Sequence, residues 1–189
     1  LRSMAEMGHT ITSLGCSGSF DNTTTLNASL VSDSGKAAIA VFAQSRTADG
    51  YDDNDDGFTE MLEQNSEALG MRAYFRTGAY SRLTAQYHRI KDYRRGGDQL
   101  DVPPHESMTC EQADHTIDGG SLSFDWSSED RSNRVNAYAS FQNTARSSYY
   151  GAFQDPDAYG RTHDLTASAG LQYVHEFKKL LFLPSELTI

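Results

Sequence analysis

Apolar and polar residues alternate along most of the chain, and the period is two. In "LGMRAYFRT", Leu69, Met71, Ala73 and Phe75 fall on one side, with Arg72, Tyr74 and Arg76 on the other. "NRVNAYASFQ" sets Val135, Ala137, Ala139 and Phe141 against Asn136, Tyr138, Ser140 and Gln142. "GGSLSFDW" sets Leu122, Phe124 and Trp126 against Ser121, Ser123 and Asp125. In "DLTASAGLQYVHEF", Leu165, Ala167, Ala169, Leu171, Tyr173 and Phe177 share a face. "TTLNASL" alternates through Leu26, Ala28 and Leu30, whereas "AAIAVFAQ" is apolar on both sides. Successive strand side chains point to opposite faces, so this period predicts an all-β fold of about eight strands and the start of another. Helical spacing is suggested only briefly, around Met61 to Leu69.

The expected connections alternate in length. Ser32–Lys36, Thr77–Arg82 and Ser127–Asn133 are short; Thr47–Ser66, Arg94–His115 and Ala145–Thr162 are long. An antiparallel up-and-down transmembrane β-barrel has this asymmetry, with short turns at one end and long loops at the other. Strands of about 9 to 14 residues suit a tilted crossing of the hydrocarbon layer. Trp126, Tyr173 and Phe177 come near strand ends, where interfacial aromatic girdles sit. A soluble β-sandwich also alternates, with its apolar faces turned inward. The strand length, the asymmetry and a polar face carrying Arg, Gln, Asn and Tyr favour a barrel with a water-filled lumen.

Charge narrows the partners. A formal charge of −10 argues against a nucleic-acid partner, because phosphate binding needs a basic surface. The longest apolar run, "LLFLP" at Leu180 to Pro184, falls far short of the roughly 20 residues of a membrane-spanning helix. The two cysteines, Cys16 and Cys110, are either a disulfide or two unrelated thiols. The chain opens without an initiating methionine or signal-peptide pattern and stops at "SELTI", which reads as the opening of a strand. These ends suggest one partial barrel domain, residues 1–189, within a longer protein.

The densest charge lies in "GYDDNDDGFTEMLE". Between Thr47 and Glu67 there are eight acidic residues and no basic ones. Such a segment is either a solvated loop or the seat of a cation. The calcium-loop pattern D-x-[DN]-x-[DN]-G-x5-E is met by Asp52, Asn54 and Asp56, with Gly57 at the turn and Glu63 at the last ligand position. Phe58 would offer its backbone carbonyl, and Glu60 occupies the ninth position. All these donors are hard oxygens, which selects Ca2+. The flanks are strands, so the expected site is a calcium loop between two strands, outside any EF-hand helix pair.

The run from Gly18 to Glu60, "GSFDNTTTLNASLVSDSGKAAIAVFAQSRTADGYDDNDDGFTE", resembles the early barrel strands of TonB-dependent outer-membrane receptors. Asp49, Gly50, Tyr51 and Asp52 match the "DGYD"-like ending of the family's third strand at the outer surface. The acidic loop that follows is similar to that of the cobalamin receptors. "YRRGGDQLDVPPHE" and "DPDAYGRTHDLT" look like loop-to-strand segments of Bacteroidetes-type members. The resemblance covers nearly all of the chain after Gly18. It implies the N-terminal strands of a barrel of about 22 strands, with the plug, the TonB-interacting box and the remaining strands outside these residues. It further implies location in the bacterial outer membrane and energy-dependent uptake of a scarce nutrient: cobalamin, a siderophore or a glycan. The partners implied are outer-membrane lipid, the TonB energy-coupling system acting through the plug, the nutrient ligand and a surface lipoprotein.

No catalytic constellation emerges, and an enzyme is not expected. None of the six histidines has a helical partner or a triad context, and "VHEF" lacks the second histidine of a zinc-protease motif. "RRGGD" at Arg94–Asp98 lacks the spacing of a phosphate loop and reads as a loop tip with a mobile glycine pair. His88 and His175 read as lumenal or interfacial. Arg72, Arg76, Tyr74, Tyr138 and Gln142 would face the lumen, and Tyr149 and Tyr150 are candidates for contact with a ligand or surface lipoprotein. Two rival functions remain: a complete eight-stranded outer-membrane barrel in adhesion or structure, and a soluble calcium-dependent all-β binding domain.

Overall fold

The computed structural model describes residues 2–14, 19–180 and 183–188. They form a single antiparallel sheet in chain order: β1 (Arg2–Leu14), β2 (Ser19–Val31), β3 (Ala37–Ala48), β4 (Glu63–Gly78), β5 (Ser81–Gly97), β6 (Thr109–Ser127), β7 (Asn133–Ala152), β8 (Tyr159–Leu180) and β9 (Leu183–Thr188). A single 3-10 turn, Pro104–Glu106, interrupts the β architecture among the described residues. The fold is all-β and up-and-down, as the period-two pattern predicts.

Pairing register brings the separate apolar stripes onto one face. One row crosses the sheet as Leu30, Ile39, Ala73, Ala85, Leu122, Ala139 and Ala169. The next runs Ala28, Val41, Met71, Tyr87, Gly120, Phe141 and Ala167. A one-residue slip in any strand would send its leucines to the other side, so the pattern itself fixes the register. The opposite face carries Ala40, Arg72, Gln86, Ser121, Ser140 and Ser168 in one row. There Gln86 Nε2 donates to Ser121 Oγ at 3.4 Å, and the Ser140 and Ser168 hydroxyls lie 2.7 Å apart.

Phe42 explains why β3 reads as apolar on both sides. It stands on the polar face opposite Gly70, and a Cβ at Gly70 would come within 2.2 Å of its ring. The ring therefore lies over bare backbone on the neighbouring strand.

Three expectations need correction. The segment around Met61 to Leu69 is not helical: from Glu63 onward it is β4, paired on both sides with β3 and β5. Two flanking strands offer ladder bonds that outweigh a weak local helical spacing. The long connections are also shorter than expected, spanning residues 49–62, 98–108 and 153–158. Strands β4 to β8 continue past the apolar alternation on polar rungs, and β8 reaches 22 residues. Tyr87 Oη donates to Asp118 at 2.6 Å, and Arg89 lies 3.7 Å from the same carboxylate. Finally, Arg94–Asp98 is no loop tip, because Gly96 and Gly97 end β5. Gly96 is buried, with Leu62 occupying the place of a Cβ.

The short turns fall where expected. Ser32 Oγ accepts the Ala37 N–H at 3.0 Å, and Gly35 at φ 65° reverses the chain. Ala79 and Tyr80 alone join β4 to β5, and residues 128–132 join β6 to β7.

Candidate metal loop and the cap around it

The acidic loop is closed at its base by a small bridge. Tyr51 and Met61 exchange backbone hydrogen bonds, each 3.0 Å. Within that closure, short side chains take the free backbone N–H groups in series. Asp52 accepts from Asn54 at 3.2 Å and Gly57 at 2.7 Å, and Asn54 accepts from Asp56 at 2.9 Å. Asp56 then accepts from Phe58 at 2.9 Å, and Glu60 from Asp53 at 2.7 Å. Asp55 at φ 58° and Gly57 at φ 89° fold the chain back on itself. Asp and Asn favour such local turns because their side chains reach the backbone two residues on.

This folding brings Asp52, Asp56 and Glu60 together, with carboxylate oxygens within 4.8 Å of one another. Each pair of charges at that distance repels by about 0.9 kcal/mol even in bulk water. Each oxygen that accepts one N–H keeps a second lone pair, so the three carboxylates can hold a metal ion.

The expected ligand set is only partly assembled. Glu60 joins the group, whereas Glu63 opens β4 opposite Arg95 and lies outside it. In a helix-flanked loop the exiting helix returns the twelfth residue to the ion. Here the chain leaves as a strand and advances roughly 3.3 Å per residue. Asn54 sits inside the turn series, its Oδ1 engaged by the Asp56 N–H, and Phe58 forms a bridge to Asp98.

That bridge ties the acidic loop to the next. Thr59 N–H donates to the Gly97 carbonyl at 3.1 Å, and Gly97 N–H to Thr59 Oγ1 at 3.0 Å. Asp98, 8% exposed, accepts the N–H groups of Met108 and Thr109 at 3.2 and 2.8 Å. Arg95, 6% exposed, points one terminal nitrogen at the Gln99 and Val102 carbonyls and the Ser107 hydroxyl. A buried cation is tolerated when carbonyls replace its water. The third long loop joins through Tyr159, 2.9 Å from His105 Nδ1, and through Gln154, which donates to the Glu106 carbonyl at 3.0 Å.

The two adjacent tyrosines part company by alternation. Tyr149 is 1% exposed, donates to the Asp155 carbonyl at 2.9 Å and meets Tyr159 edge-on at 4.9 Å. It supports the cap and is closed to ligands. Tyr150 is 55% exposed on the polar face, its hydroxyl accepting from Arg146 at 2.7 Å. It helps line a cleft of about 580 Å³ with Asp92, Arg94, Glu111 and His115. Cys110 is a free, buried cysteine, and Cys16 lies outside the described residues.

Sequence reasoning missed the cap residues Arg95, Asp98, Ser107, His105 and Tyr159. No apolar period marks them, because Arg89, Ile90 and Lys91 break the alternation that runs from Leu83 to Tyr87. Compared with known proteins, the chain matches no family model, no curated protein and no solved structure.

Proposed function

We propose that this chain is part of the wall of an outer-membrane β-barrel of the TonB-dependent receptor kind, an active importer of a scarce nutrient. The observation that carries the reading is the two-sided sheet. Its apolar rows stay exposed on one face, with Leu122 at 49% and Leu171 at 72%, while the other face is polar. Neighbouring rungs of exposed apolar side chains make a contiguous band of the kind soluble monomers seldom leave uncovered, and hydrocarbon would satisfy it. The apolar stretch of β4 from Leu69 to Phe75 covers about 20 Å along the strand.

The long loops then face outward, and the nutrient (cobalamin, a siderophore or a glycan) meets the cap and the Tyr150 cleft. A surface lipoprotein would deliver it there. Import would draw on the TonB system through a plug within the lumen. Ca2+ held by Asp52, Asp56 and Glu60 would supply the positive charge the loop lacks and stiffen the first loop against the second.

Trp126 is the sole tryptophan, at the short-turn end of β6, so it reports on lipid directly. In bilayers, lipids brominated near the headgroup should quench its fluorescence more than lipids brominated at the acyl terminus. A protein that stays soluble without detergent and shows no quenching would overturn the membrane reading. Calcium is tested separately by calorimetry: a binding heat should vanish in Asp52→Ala combined with Asp56→Ala. No heat in either protein would remove the metal from the proposal and leave the barrel untouched.

A further inference from the structure

At the end opposite the acidic loop, the polar face folds around a cleft of about 850 Å³. Four arginines line it, Arg76, Arg82, Arg131 and Arg134, with Asp125 as the one carboxylate among its lining residues. Such a concentration of cations is unexpected in a chain of net charge −10. Each arginine reaches the cleft from a different place: the end of β4, the starts of β5 and β7, and the turn before β7.

The local acids leave much of this charge uncompensated. Asp125 is shared between Arg82 at 3.5 Å and the Asn136 amide at 2.8 Å. Glu176 holds Arg134 at 2.7 Å. Asp130 is adjacent to Arg131 in sequence, but its carboxylate is taken by the Ser128 hydroxyl at 2.6 Å and by the Ser132 hydroxyl and N–H at 2.8 and 3.1 Å. Glu129 shares that turn and does not line the cleft. The side chains of Arg76 and Arg131 have no hydrogen-bond or ion-pair partner among the described residues.

We infer that this cleft is an anion site for a small ligand bearing two or more phosphate or carboxylate groups. Guanidinium groups present paired N–H donors that match the two oxygens of such a group. A concave wall concentrates their field, and the volume lies within the range of small-molecule pockets. Arg76 and Arg131 supply the free charge, while Arg82 and Arg134 stay oriented by Asp125 and Glu176. Tyr80, in the turn between β4 and β5, borders the cleft and gives the ligand's carbon skeleton a surface to rest on. The site stands on the charge arrangement alone and does not depend on the membrane reading.

The test is calorimetric titration, at low ionic strength, of the protein expressed from its natural gene and purified in detergent. Inorganic tripolyphosphate and citrate serve as probes. Saturable one-site binding of either should weaken at least tenfold in Arg76→Gln with Arg131→Gln. Both side chains are exposed and unpartnered, so the variant should keep its circular-dichroism spectrum. Arg161→Gln, on the other face of the sheet, should bind like the parent. A response confined to tripolyphosphate would name phosphate as the ligand chemistry, and one confined to citrate would name carboxylate. No saturable binding of either probe overturns the inference. So does equal weakening by Arg161→Gln, which would mean diffuse attraction with no site.

Discussion

At the long-loop end this protein buries charge, and along the middle of the sheet it exposes leucine. Arg95 and Asp98 are almost fully enclosed, and each is met by backbone groups that replace its water. Leu69, Leu165 and Leu171 lie open, though burying each would gain about 1.5–3 kcal/mol in water. One region encloses charged residues and the other leaves leucines open, which makes sense if different solvents bathe them. Burial is favourable or costly only relative to what would otherwise touch the side chain. On the proposed reading, the cap faces water and satisfies itself like a soluble protein, while the band faces hydrocarbon.

Arg95→Ala should separate the regions most sharply. It leaves the Gln99 and Val102 carbonyls and the Ser107 hydroxyl without their donor, at a cost of about 1–3 kcal/mol for each group left buried and unpaired. Hydrogen exchange should then accelerate at residues 98–108 and, through Thr59 and Gly97, in the acidic loop. The amides of β6 and β7 at the level of Leu122 and Ala139 should keep their protection. Uniform acceleration along the strands would mean that cap and band unfold as one unit.

A matched pair probes the band itself. Leu171→Arg should destabilise the folded protein in bilayers by about 2–4 kcal/mol, the cost of arginine on a lipid face near mid-depth. Gln172→Arg, one residue along on the polar face, should cost far less. Denaturant unfolding of both variants in the same vesicles makes the comparison, and equal small effects would place both faces in water. Smaller still is Gly70→Ala, which pushes a methyl group into the Phe42 ring and should cost about 1–3 kcal/mol. Most of that cost should disappear in a Phe42→Ala background, because the ring is what the methyl meets.

The contrast also explains what was readable in advance. Alternation placed Leu26, Leu69, Leu122 and Leu171 on their faces because a half-exposed strand repeats its solvent boundary every second residue. Asp52 and Asp56 were legible because a turn's chemistry is local. The tops of β5 to β8 were not, since polar strand pairs in water leave no apolar period. The cap was hidden for another reason: Thr59 and Gly97 meet across 38 residues of sequence, and no local pattern encodes that contact. Glu63 was placed at the ion by a motif drawn from helix-flanked loops, and the strand that follows carries it elsewhere.

The smallest effect belongs to the short-turn end, in the turn between β6 and β7. Hydrogen bonds from the Ser128 hydroxyl, then from the Ser132 hydroxyl and backbone N–H, hold the Asp130 carboxyl at a pKa of about 2, down from an ordinary 3.8. A lowered folded-state pKa stabilises the turn wherever the carboxylate is charged in both states, above about 3.8. That contribution fades as pH falls from 3.8 and is gone below about 2. The group is fully solvated, so the global midpoint should barely move. The local signature should be clear: the Asp130 carboxyl carbon resonance should titrate near 2, and Ser128→Ala with Ser132→Ala should return it toward 3.8. The cap should be indifferent to that double variant, because no described contact joins this turn to the long loops at the far end of the strands. A shift in cap amides would show that the two ends communicate through the sheet, and the separation drawn between them would fail.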